Sequence, residues 1–153
     1  MFVQSPTPQL APDFGLDGAD RPPAGAPAAG AAGRARLAVE VAEEGGTALL
    51  AMAGRLVAET AVAAEARILT TIVLAERPLR LVIDLSRVED IDPAGVALLT
   101  KARFAARAAR ADLHLVAPDG GAARASLPRH LRRITVRCRE DLDAAPPAHA
   151  EGA

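Results

Sequence analysis

The stretch LRLVIDLSRVEDIDPAGVALL, residues 79–99, decides the fold. Leu81, Val82, Ile83 and Leu85 make a nearly continuous apolar run with two β-branched members. That is the pattern of a strand buried on both faces, with helices covering both. The strand is expected over residues 80–85. Asp92 then stands where a helix N-cap stands, and Pro93 at the first helical position, where a missing N–H costs nothing. Ile91, just before the cap, is placed to staple onto the first turns. The expected product is a strand, a short loop and a helix N-terminus carrying Asp92, Pro93, Ala94 and Gly95, and this corner is the expected functional surface.

Upstream, Leu37, Val39 and Val41 alternate with Ala38, Glu40 and Ala42, as in a strand with one wet face. Gly45-Gly46 makes a tight turn, and residues 47–53 read as the hairpin partner, ended by Gly54-Arg55-Leu56. Thr60 is the expected cap of a helix reaching Glu76, with Val62, Ala66, Leu69 and Val73 on its apolar face and Pro78 marking its end. The helix from Pro93 runs to about Arg110. Leu98, Ala102, Ala105 and Ala109 form its seam, Leu99 and Ala106 lie beside it, and Lys101, Arg107 and Arg110 point to solvent. Residues 113–116 are a strand stopped by Pro118, a third helix is expected from Asp119 to Leu127, residues 134–136 are a short strand, and residues 140–143 a last helical turn.

The order β-β-α-β-α-β-α-β implies one α/β domain: a hairpin, then right-handed crossovers, giving a mixed and mostly parallel sheet with helices packed on it. Its expected limits are residues 36–143. Residues 1–35 are Pro, Ala and Gly punctuated by acids, without any period, and are expected to be a disordered tail. Residues 144–153 are expected to be a flexible C-terminal tail.

Composition narrows the function. The net charge of −1 gives no global pull toward nucleic acid or anionic membrane. Cys138 is the single cysteine, which excludes an internal disulfide framework and fits a reducing compartment. The first residues lack the basic and continuous apolar regions of a secretory signal, and no window reaches the roughly 18 uncharged apolar residues of a membrane span. A cytoplasmic protein is expected. His114, His130, His149 and Cys138 never approach metal-ligand spacing, and no phosphate-cradling glycine motif or nucleophile elbow occurs, so neither metal nor cofactor is expected. Carboxylate catalysis needs a cleft and a proton partner such as histidine, and the sequence puts none near Asp84 or Asp92, so no enzyme is expected.

Individual residues follow the same logic. Asp92 is read first as the cap of its helix and second as a recognition carboxylate. Asp84, at a strand end, is assigned to loop N–H groups. Ser86 is the nearest hydroxyl to the corner; it is read as a loop-start serine bonding its own backbone, with phosphate acceptance as the alternative. Arg124, Arg129, Arg132, Arg133, Arg137 and Arg139 form a basic run, but without interleaved aromatic side chains to stack bases it is read as a solvated face or an acidic-partner surface.

Several local motifs, taken in order, resemble the STAS domain, the anti-sigma factor antagonist family. Gly54-Arg55-Leu56 is similar to that family's G-x-L turn, residues 81–86 (LVIDLS) to its hydrophobic-Asp-Leu-Ser strand, and residues 88–92 (VEDID) to the approach to its D-S-S-G corner. Residues 113–116 with Pro118 resemble its fourth strand, and residues 136–142 its closing strand and E-x-x-L turn. The resemblance covers residues 37–143. It implies a partner anti-sigma factor that is itself a serine kinase of the GHKL ATPase type and phosphorylates the serine before the glycine of D-S-S-G. The corresponding residues here are Asp92-Pro93-Ala94-Gly95, so the acceptor position is Ala94, which has no hydroxyl to esterify. The implied contact surface is Asp92, Pro93, Ala94 and Gly95, with Leu98 and Lys101 on the following helix. The resemblance also admits a non-switching scaffold or decoy, or a subunit of an ABC-type lipid transport complex that binds the ATPase subunit.

Overall fold

The computed structural model describes residues 34–77 and 79–145. The expected tails, apart from residues 34–35 and 144–145, together with Pro78 and His149, lie outside those residues. Five strands stand side by side in sequence order: β1 (Leu37–Glu44), β2 (Thr47–Leu56), β3 (Arg80–Ile91), β4 (Asp112–Val116) and β5 (Thr135–Val136). β1 pairs antiparallel with β2, and every later pairing is parallel. The hairpin closes on Gly45 and Gly46, with φ of 55° and 82°, the two positive angles that a turn matching the right-handed strand twist requires. The α/β class and the mixed, mostly parallel sheet are as the sequence implied.

Each parallel crossover carries helix: α1 (Ala58–Leu74), α2 (Pro93–Ala108), then the short α3 (Ala122–Ser126) and α4 (Arg129–Arg132). Because the strand order never reverses, right-handed crossovers put every helix on one face of the sheet. The main core agrees. It joins Leu50 and Met52 of β2, Leu81 and Ile83 of β3, and Leu113 and Leu115 of β4 to Ile68 and Ile72 of α1 and to Leu98, Leu99, Ala102 and Ala106 of α2. Val82 and Val116 point the other way along the pleat, are equally buried, and do not belong to that core. The expectation of helices on both faces is therefore corrected. On that second face the 3-10 segment Arg139–Ala144 is tied to β3. Arg139 bonds Asp84, and Asp143 pairs with Arg80 at 3.5 Å, so the segment is tied to β3 at the two positions that flank Val82 on that face.

β3 is also longer than expected. It continues through residues 86–91, read from the sequence as loop, by pairing with the end of β2 across two register shifts. At the first shift β3 carries an extra residue, and the Asp84 carboxylate accepts the Ser86 amide at 2.9 Å. A polar run over Ser86, Arg87, Glu89 and Asp90 is compatible with strand here because those residues alternate with buried Leu85, Val88 and Ile91 around the bulge.

On α1 the expected apolar face is the wrong one. The buried stripe is Thr60, Ala64, Ile68, Thr71 and Ile72, whereas Val62 and Val73 are 77% and 74% exposed. Two threonines can line the core because each hydroxyl is satisfied nearby: Thr60 donates to Arg55 O at 2.7 Å and Thr71 to Arg67 O at 2.9 Å. Thr60 is not the cap. The helix begins three residues earlier, and the Thr60 hydroxyl reaches back to accept the Val57 amide at 3.1 Å. The third expected helix, from Asp119 to Leu127, is corrected to two short ones, because Pro128 holds Leu127 at extended angles. The seam of α2 is where the spacing put it.

Candidate functional site

The corner is built where two strands end together. Leu56 and Ile91 are register partners, and one helix springs from each strand just beyond them, α1 at Ala58 and α2 at Pro93. Asp92 serves both helices. Its Oδ1 accepts the Gly95 amide at 2.9 Å and its Oδ2 the Ala58 amide at 3.0 Å, so a single carboxylate caps two helix N-termini. Those two amides hold its pKa below the ordinary aspartate value, so it is an anion at neutral pH. Both reach out from partial positive helix ends, and the negative charge is neutralised locally rather than offered to solvent.

Gly95 is buried against the end of β2, where the first carbon of any side chain would overlap the Leu56 carbonyl oxygen. Pro93 is exposed and Ala94 half-buried, so these two make the visible tip. Beside it a shallow cleft of about 410 Å³ is lined by Ile91, Asp92, Pro93 and Val96 and by Ser126, Leu127 and Pro128. Ligand crevices in open α/β sheets form where the strand order reverses, and this order does not reverse. Among the described residues no three His, Cys, Asp or Glu side chains converge as metal ligands.

Of the expected contact residues, Asp92, Pro93, Ala94 and Gly95 do come together. Leu98 does not belong with them as a contact: it is 3% exposed and packs into the core beneath the corner, because α2 turns that face to the sheet. Lys101 is outside, but its Nζ is engaged, 2.9 Å from Glu65 Oε1 of α1. The sequence reading missed the outer surface that this ion pair sits in. Glu65 lies three residues after Val62 and four before Leu69, and Lys101 three before Phe104, which is 65% exposed. Val62, Ala66, Leu69 and Val73 were legible as one apolar stripe; its direction was not.

The sequence between residues 39 and 137 matches the family model described as the Mlab STAS domain. The chain belongs to the STAS-domain family. Among solved structures the STAS fold here is similar to an anti-sigma factor antagonist from Mycobacterium paratuberculosis, at 22% identity and a TM-score of 0.57 over 72% of this chain and 94% of that one. It is also similar to the anti-sigma factor antagonist SpoIIAA in its unphosphorylated form, at 15% identity and a TM-score of 0.49 over 70% of this chain and 94% of that one. At these identities the likeness is one of fold. No curated protein sequence matches.

The STAS domain's other chemical cluster sits at the β3 bulge. Asp84 Oδ1 accepts both the amide and the hydroxyl of Ser86, the latter at 2.5 Å, and Oδ2 accepts Nε and Nη2 of Arg139 at 2.8 and 2.6 Å. Asp84 therefore satisfies the local N–H as expected. Ser86 bonds that carboxylate rather than its own backbone. The Arg139 partner, 55 residues away in sequence, had no local signal. Burial pushes the Asp84 carboxyl pKa up, but the two Ser86 donors and Arg139 outweigh it and leave it below 3.8. A depressed native pKa means the unfolded protein binds the proton more tightly, so Asp84 stabilises above pH 3.8, and that contribution is lost as pH falls through the native value. In urea unfolding followed against pH, wild type should exceed Asp84→Asn by about 2 kcal/mol at neutral pH, the order expected for charge-assisted hydrogen bonds, and the gap should close in acid. A gap that does not depend on pH would mean that Asp84 acts through shape alone.

Four of the six arginines of the basic run make structural contacts. Arg124 and Arg137 both pair with Asp119, Arg132 bonds the Leu127 and Ala125 carbonyls, and Arg139 bonds Asp84. Near it, Arg103 reaches the His130 carbonyl, and Thr100 Oγ1 is 3.0 Å from His130 Nε2, which fixes α4 against α2. Among the described residues no helix is long and apolar enough to cross a membrane.

Proposed function

We propose that this STAS protein works by binding rather than turnover, as an anti-sigma-factor-antagonist-like regulator of transcription. Its partner is an anti-sigma factor that is a serine kinase of the GHKL ATPase type. The observation that carries this reading is the apolar surface on the two helices that spring from the corner: Val62 and Val73 of α1 and Phe104 of α2 stand in solvent, and the Lys101–Glu65 pair joins the two helices between their ends. Scattered exposed apolar residues are ordinary; a row at helical spacing along two packed helices suits a protein interface with a polar rim. The exposed tip at Pro93 and Ala94 lies at the head of one of those helices.

Ala94 occupies the position that the family resemblance gives to the phospho-acceptor. A phosphate at a helix N-terminus would add about −1.5 to −2 charges to any docked surface. Without a hydroxyl this corner keeps its unmodified form, and a partner that reads that form stays bound.

Affinity capture identifies the partner and ATP tests the switch. The native protein is expected to retain an ATPase-fold anti-sigma factor with ATP present, with residue 94 unmodified, while Ala94→Ser gains a phosphate there and releases it. Equal retention by both proteins under ATP overturns the phospho-control reading. Capture of a transporter's ABC-type ATPase instead overturns the sigma-factor assignment and assigns the same docking face to a lipid-transport complex.

A further inference from the structure

We infer that the protein pairs with a second copy of itself through the open edge of β1, so that two five-stranded sheets become one. Among the described residues no strand pairs with the outer side of β1. The two-residue turn at Gly45-Gly46 makes Glu44 and Thr47 a hydrogen-bonded pair, so the even-numbered residues of β1 bond β2. The Arg55 amide, bonded to the Arg36 carbonyl at 2.8 Å, continues that alternation. The N–H and C=O groups of Leu37, Val39, Val41 and Glu43 therefore point outward, as a template for another strand. Arg67 Nη2 of α1 reaches the Val39 carbonyl at 3.3 Å, a long bond from an exposed side chain that a strand amide can replace.

Beside this edge, a groove of about 850 Å³ runs between β1 and α1. Its apolar lining comes from Leu37 and Val39 of the strand and from Ala63 and Ala66 of the helix. Alanines at those helix positions leave the space that the side chains of an added strand need. The sequence of β1 suits a copy of itself. An antiparallel copy turned about Val39 sets Val39 against its own copy and Leu37 against Val41, all on the face that looks to α1. On the other face Arg36 lies opposite Ala42, with Glu40 and Glu44 of the copy diagonally to either side. The basic start of the strand thus meets its acidic end, twice by symmetry. Turning about Glu40 instead would set Glu40 against Glu40, and the like charges disfavour that register. Val62, Val73 and Phe104 do not line the groove, so this pairing and the docking of the proposed kinase use different side chains. Either can fail without the other.

Sedimentation of the full-length protein over a range of concentrations should show a monomer–dimer equilibrium. Val39→Pro removes an outward N–H that β2 does not use, and should give a monomer with wild-type circular dichroism. Arg36→Glu and Glu44→Arg should each raise the dimer Kd about tenfold, because each sets like charges together at two symmetry-related places. Combined, the two should bring the dimer Kd back to within about threefold of wild type, which loss of fold would not do. A protein that stays monomeric at every concentration overturns the inference, as does a double variant that dimerises no more tightly than the single ones. A dimer that survives Val39→Pro overturns it too, and one lost instead in Val62→Asp places the second copy on the outer stripe of α1.

Discussion

Replacing Gly95 with alanine is expected to destabilise the domain by about 3 kcal/mol, the upper part of the range for forcing an extra carbon into a packed site. Two effects oppose each other. Alanine is the better helix former, worth about 1 kcal/mol in a helix interior. Against it, the new carbon overlaps the carbonyl oxygen of Leu56, and that oxygen is already the acceptor for the Asp92 amide at 3.3 Å. Backbone at the end of a paired strand cannot yield as a flexible side chain does. Moving it also shifts the carboxylate that caps both helices, so sterics outweigh propensity. Urea unfolding should show a lower midpoint with an unchanged slope, and the melting temperature should fall by more than 10 °C or so. Ala94→Ser, one residue away on the half-buried tip, should stay within about 0.5 kcal/mol of wild type. If Gly95→Ala proves stabilising, the close approach of α2 to β2 is not what holds the corner.

That contrast also shows what could be read from the sequence. The strand–cap–proline succession placed α2 and its N-terminus correctly, since Asp92, Pro93 and the Leu98–Ala102 seam are local signals. Asp92's second duty, to the Ala58 amide, depends on β2 and β3 ending in register, which no local pattern encodes. The same limit explains α1. Both of its stripes are apolar at helical spacing, and the one containing Val62, Leu69 and Val73 is the more hydrophobic in sequence. The inward choice went to the stripe with two threonines because carbonyls of Arg55 and Arg67 stand ready to take their hydroxyls. Likewise, Leu81 to Leu85 correctly signalled burial on both sides, but a continuous apolar run does not say what does the burying. Uniform crossovers sent every helix to one face, and Arg139 and Asp143 tie the C-terminal segment to β3 on the other.

A helix that turns its more hydrophobic stripe to water leaves apolar area that a partner can cover, and this gives the largest functional effect expected here. Val62→Asp and Val73→Asp should each weaken binding of the captured ATPase partner by about 2 to 3 kcal/mol, on the order of 100-fold in Kd, as for a central contact residue. Each places an unpaired carboxylate where apolar surface is to be desolvated, and desolvating an unpaired charge is costly. Folding should hardly notice, because both side chains are already in solvent and the loss is limited to helix propensity, roughly 0.5 kcal/mol. Phe104→Ala should weaken binding too, since Phe104 stands in solvent one turn along α2 from Lys101, the residue paired with Glu65 of α1. Val41→Asp provides the control: it adds the same charge at a part-exposed position on the edge strand β1 rather than on α1 or α2, and should leave Kd unchanged. Isothermal titration with each variant separates the cases. Loss at positions 62, 73 and 104 but not 41 places the partner along the outer surface of α1 and α2. Equal loss at all four points to charge rather than place, and loss at none confines recognition to the tip at Pro93 and Ala94.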